Sequence, residues 1–110
     1  MMRYVVSPEA AADLHDIFSH YSFESEQAAE TLHLALLDAF DMLAGHPRVG
    51  TLRMDLTPTP IRTWTVYSHM IFYDPETRPI EVLRVLHGAR DLPRAFGTKA
   101  PSPPKRRRKR

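Results

Sequence analysis

Cysteine is absent from this chain of 110 residues. Its absence excludes disulfides, thiolate metal sites and a cysteine nucleophile, and it fits a reducing compartment. Lysine is nearly absent as well. The three lysines stand at 99, 105 and 109, and none precedes them. No apolar run approaches the roughly 20 residues that a membrane span needs. The first residues, MMRYVVSPEAAAD, lack the apolar core of a secretory signal. There is no GxGxxG, no P-loop, no GxSxG and no HExxH, so nucleotide cofactors and common hydrolase sites find no support. Six histidines are present, but their spacing suggests no metal site. The expectation is a small, soluble, cytoplasmic protein with no cofactor, no metal and no membrane segment.

What is present is charge, unevenly spread. The net charge of +2 conceals three blocks. Residues 8–45 carry eight acids and neither Lys nor Arg, a balance of −8. Residues 46–98 carry seven Arg against five acids, or +2. Residues 99–110, KAPSPPKRRRKR, carry seven basic residues and no acid. Pro and basic residues dominate that last stretch, so it reads as a disordered tail. Residues 1–98 then form one domain, a size that supports its own core. The tail is suited to weak polyanion binding that falls steeply with salt. It has no aromatic residue and hence no means of stacking on bases. It can equally reach the acidic half of its own chain.

The order of elements follows from hydrophobic periodicity. Tyr4-Val5-Val6 reads as a strand. Ser7-Pro8-Glu9 is a helix start: a capping hydroxyl, a proline at the first helical position and an acid at the positive dipole end. Leu14, Ile17, Phe18 and Tyr21 then make one apolar helix face. A second helix runs from near Ser25 to Ala44, with Ala29, Leu32, Leu36, Phe40 and Leu43 as its stripe. Gly45-His46-Pro47 ends it, with Gly45 expected in the left-handed cap position. Residues 46–60 read as a loop. Three strands follow: Ile61–Tyr67, Met70–Tyr73 after a turn at Ser68-His69, and Ile80–Leu86. Leu92–Phe96 is a short terminal helix. The pattern β-αα-βββ predicts an α+β fold, an antiparallel sheet with a two-helix hairpin on one face.

Strict alternation puts Ile80, Val82 and Leu86 on one face of the last strand, and Leu83 and Val85 on the other. Both faces are therefore apolar, and two helices cover only one. Either residues 87–98 fold back over the second face or another chain covers it.

The chemistry-bearing residues gather in the basic half. Arg62, Arg84, His87 and Arg90 stand there, with His69, Tyr67 and Tyr73 nearby. Cleaving RNA through its own 2′-hydroxyl needs a base, an acid for the leaving oxygen and a cation for the phosphorane. His and Arg supply these. An ion pair with an acid explains Arg84 equally well, and a body of −5 is a poor nucleic-acid footprint by itself.

The segments YVVSPEAAADLHDIFSHY, LLDAFDMLAGHPRVG, HMIFY and IEVLRVLHGARDLP, in this order, resemble the ParE branch of the RelE/ParE toxin superfamily over residues 3–96. The resemblance implies a helical hairpin on an antiparallel sheet. It implies a bacterial type II toxin neutralised by a cognate ParD-like antitoxin, and growth arrest through DNA gyrase without an enzymatic reaction. Members of the RelE branch instead cleave mRNA in the ribosome with basic residues and a late Tyr or His. On that alternative Arg62, Arg84 and His87 are the catalytic candidates. A third reading is an inactive homologue that only binds an antitoxin. Contact candidates for a target or an antitoxin are Arg62, His69, Arg84, His87, Arg90 and Phe96.

Overall fold

A computed structural model describes residues 3–55 and 59–88. The elements are β1 (Tyr4–Val6), α1 (Pro8–Glu24), α2 (Glu26–Gly45), β2 (Thr51–Leu52), β3 (Arg62–Val66), β4 (His69–Asp74) and β5 (Ile80–His87). The expected terminal helix at Leu92–Phe96, the residues Arg90 and Phe96, and the tail at 99–110 lie outside the described residues.

Ser7 sets the entry to the helical layer. Its Oγ accepts from Ala10 N–H at 3.0 Å, capping α1, and donates to Leu83 O at 2.9 Å. Its own N–H donates to Val82 O. One residue thus caps a helix and ties it to a strand 76 positions away. Ser25 serves both helices. Its N–H closes α1 on Tyr21 O, and its Oγ accepts from Ala28 N–H to start α2. One shared cap leaves no linker, and this makes the hairpin tight. Gly45 is the last helical residue rather than a left-handed cap. The cap is His46, with φ −138°, and its N–H bonds Met42 O.

The sheet order is β1-β5-β4-β3-β2. Three of its pairings are antiparallel, as expected, but β1 runs parallel to β5. The sheet is therefore mixed. The reason is the connection: the helical hairpin carries the chain back across the sheet before β5 arrives beside β1. The two-residue β2 lies within the stretch read as loop, and its length gives no periodic signal. The β3–β4 turn is Tyr67-Ser68, one residue earlier than expected, and His69 is already paired to Val66 and to His87.

The main core lies between the hairpin and the sheet. Leu36, Phe40 and Leu43 of α2 are fully buried against Ile71, Tyr73, Ile80, Val82 and Val85. Each such side chain contributes about 1.5–3 kcal/mol by leaving water. The face assignment of β5 departs from strict alternation. Phe72 pairs with Arg84 but Tyr73 pairs with Val82, leaving Leu83 as an extra residue. This bulge shifts the phase by one position. Val85 consequently joins Ile80 and Val82 in the main core, and Leu86 joins Phe72 on the opposite face. That second face is closed within the chain: Phe72 is 2% and Leu86 3% exposed, with Ile61 and Met70 packed against them. No helix among the described residues is long and apolar enough to cross a membrane.

Candidate functional site

At the centre of β5, Arg84 and Asp13 form a bidentate pair. Arg84 Nε donates to Asp13 Oδ2 at 2.7 Å and Nη2 to Oδ1 at 3.0 Å. Asp13 Oδ2 also accepts from Val85 N–H at 3.0 Å. The carboxylate thus binds the α1 flank to β5 beyond the last β1–β5 rung.

Further along β5, His87 lies directly across the ladder from His69. Their rings meet edge to face, centroids 5.7 Å apart. His69 is 2% exposed, and Tyr21 of α1 stands against it at 5.9 Å. Beside this stack opens a pocket of about 540 Å³ between the hairpin and the β3–β4 turn. Tyr21, Ser25, Ala28, Thr31, Tyr67 and His69 are among its lining residues. Tyr67 has φ +54° and is 70% exposed. A left-handed backbone at the first turn position favours glycine, and a bulky side chain there stores about 1–2 kcal/mol of strain.

The opposite end of the sheet holds a different cluster. Tyr73 Oη donates to Pro47 O at 2.7 Å and accepts from Gly50 N–H at 3.0 Å. Arg62 Nη1 donates to Gly50 O at 2.7 Å. A Cβ on Gly50 would lie 2.5 Å from Tyr73 Oη and 2.7 Å from Thr63 O. Burial pushes the Tyr73 phenol upward, and the Gly50 N–H bond and the Arg62 charge oppose that rise. The HPRVG stretch is thereby latched onto β3 and β4.

With this geometry in hand, the comparisons with known proteins decide the family. Residues 4–92 match the family described as ParE toxin of the type II toxin-antitoxin system, parDE. The chain belongs to the ParE toxin family. It is similar to Toxin ParE1 of Mycobacterium tuberculosis, with 34% identity over 94 residues, 84% of this chain and 95% of that protein. Its fold is similar to that of a chain from the chromosomal ParDE toxin-antitoxin system of P. aeruginosa. The TM-score is 0.63 at 23% identity, covering 79% of this chain and 96% of the other.

In this ParE-type toxin the sequence-level candidates fall into two separate places. Arg62 pairs with Tyr73, four positions along β3 from the rung where Val66 meets His69. At about 3.3 Å per residue that is roughly 13 Å of strand. Arg62 and His87 are therefore not assembled into one site. Arg84 is on the strand that carries His87, with its guanidinium committed to Asp13. His69 and His87 are brought together, although sequence reasoning had placed His69 in a turn. Tyr67 entered that reading only as a neighbour, and Tyr21 only as a helix-face residue. Ser25, Ala28 and Thr31 were missed as pocket residues, because a pocket at a helix junction has no sequence period.

Proposed function

We propose that this ParE-type toxin acts in the cytoplasm by inhibiting DNA gyrase through protein contact, and that a cognate ParD-like antitoxin neutralises it. Family membership over residues 4–92 carries the reading. The relative from M. tuberculosis is itself named a toxin, and the fold relative comes from a ParDE system. The contact surface in this reading is the His69–His87 end of the sheet with Tyr67 at its rim. Arg90 and Phe96 follow it in sequence, and Arg84 keeps β5 in place. Arg62 lies at the far end and acts through the Gly50 latch.

The separation of Arg62 from His87, and the pairing of Arg84 with Asp13, favour inhibition over RelE-type mRNA cleavage. The test is a gyrase supercoiling and cleavage-complex assay with purified toxin. Loss of supercoiling, reversed by the antitoxin, is expected. Unchanged supercoiling at high molar excess overturns the reading. Primer extension on translating ribosomes should show intact message, and A-site cuts that vanish in His87→Ala would establish the nuclease instead.

A further inference from the structure

The pocket between the hairpin and the β3–β4 turn is chemically uniform in one respect. No Asp, Glu, Lys or Arg is among its described lining residues. Three rings line it instead: Tyr21 from α1, Tyr67 from the turn and His69 from β4. Tyr21 and His69 stand edge to face, and His87 backs His69 across the rung. Neutral polar groups line the same space. The Ser25 hydroxyl accepts from Ala28 N–H, so its own proton remains to donate. Gln27 and Thr31 are exposed, and neither side chain has a hydrogen-bond partner among the described residues.

Tyr67 points to a ligand independently of the lining. Its left-handed backbone is held from both sides: Val66 pairs with His69, and Gly88 N–H donates to Ser68 O at 3.1 Å. The turn therefore fixes an exposed ring at the pocket, where core packing offsets none of its strain. Strained residues held in place by their surroundings collect at ligand clamps.

The lining narrows the class of ligand. A phosphate or carboxylate finds no cation there, and residues 8–45, at −8, repel it. A purely aliphatic ligand covers the hydroxyls and the amide without bonding them. A flat heteroaromatic ring stacks on tyrosine, and its edge nitrogens and amino group meet neutral donors and acceptors. The volume of about 540 Å³ is that of a small-molecule site. We propose that this pocket binds an uncharged, purine-sized heteroaromatic ring, a free nucleobase or nucleoside, stacked against Tyr67. The proposal rests on the chemistry of the pocket and not on the gyrase reading, so either can fail without the other.

Adenosine is the probe, titrated into ¹⁵N-labelled full-length protein and followed by amide shifts and calorimetry. Ordinary ligand efficiency for its size gives a Kd of roughly 0.1 mM. Shifts should saturate and concentrate at Tyr21, Ser25, Thr31 and Tyr67. Tyr67→Gly should weaken binding about tenfold by removing the stacking ring. Thr31→Val keeps the shape, removes the hydroxyl and should weaken binding several-fold. Ala28→Leu fills the pocket from an exposed helical position and should abolish binding while Tm holds. Adenosine 5′-monophosphate, which carries the charge of a base within a strand, should bind at least several-fold more weakly. No saturable shift by about 5 mM adenosine, shifts away from the pocket, or binding that survives Ala28→Leu overturns the proposal. Equal affinity for the monophosphate overturns the uncharged ligand. N-acetyltryptophanamide binding as tightly as adenosine makes the pocket a slot for a partner's aromatic side chain, and overturns it too.

Discussion

Asp13 accepts three hydrogen bonds from two consecutive residues of β5, two from the Arg84 guanidinium and one from the Val85 backbone. Strand β1 pairs with β5 only as far as Val82. The carboxylate therefore takes over where the ladder stops. Asp13→Ala removes all three of these bonds from a half-buried guanidinium and a backbone amide together. The expected loss is about 2 kcal/mol, given the cost of unsatisfied charged and backbone groups. For a domain of this size that lowers Tm by roughly 10 °C. Asp13→Asn keeps an acceptor for Val85 and should lose about half as much. Thermal melts of the two variants beside the parent check the order. Equal Tm values for all three would deny the carboxylate its structural role.

Gly50 sits where the HPRVG stretch meets β3 and β4. The space a methyl group would take is already held by Tyr73 Oη and the Thr63 carbonyl. The backbone carbonyl cannot swing away without breaking the β2–β3 pairing at Thr51↔Thr63. Gly50→Ala is expected to cost about 2 kcal/mol by overpacking. A urea titration that leaves the midpoint within error of the parent would contradict this.

The contrast between these two residues shows what sequence conveys. Both helices were legible because Ser7, Pro8 and Ser25 are local signals and the Leu32-Leu36-Phe40-Leu43 stripe is periodic. Strands β1, β3, β4 and β5 were legible for the same reason, whereas the two-residue β2 was read as loop. The parallel β1–β5 pairing is a matter of topology, and no local pattern encodes it. The bulge at Leu83 was illegible because a single inserted residue inverts every later face while leaving composition unchanged. That inversion exchanged Val85 and Leu86 between the two faces, against the assignment that alternation alone makes. The site divides in the same way. An ion pair for Arg84 was foreseeable from its core-like setting, although its partner 71 positions away was not. The distance between Arg62 and His87 depended on a register that only pairing fixes.

Tyr73 makes stability sensitive to alkaline pH. Its folded pKa lies above the ordinary phenol value of 10.0, burial being the largest cause. The native state thus holds its proton more tightly than the unfolded chain. The resulting stabilisation is full below about pH 9 and is lost as pH climbs through the folded pKa. Tyr73→Phe removes that slope. It also leaves Gly50 N–H and Pro47 O without the phenol, at a cost of about 2 kcal/mol at neutral pH. Urea midpoints between pH 7 and 11 should fall above pH 10 for the parent and less steeply for the variant. Parallel curves would remove Tyr73 as the source.

Tyr67 is the residue whose local geometry runs against its side chain. It is mostly exposed, so core packing does not offset its left-handed backbone. Tyr67→Gly relieves the strain, partly offset by the greater entropy of glycine when unfolded. A net gain of about 0.5–1 kcal/mol is expected. If the rim of the His69 pocket is the surface that meets the target, the same change removes a rigid aromatic of the kind that anchors interfaces. The stabilised variant should then inhibit gyrase several-fold less. A higher Tm together with weaker inhibition separates the two effects, since loss of folding cannot explain a weaker but more stable toxin. Unaltered inhibition in a stabilised variant would move the contact surface away from this turn.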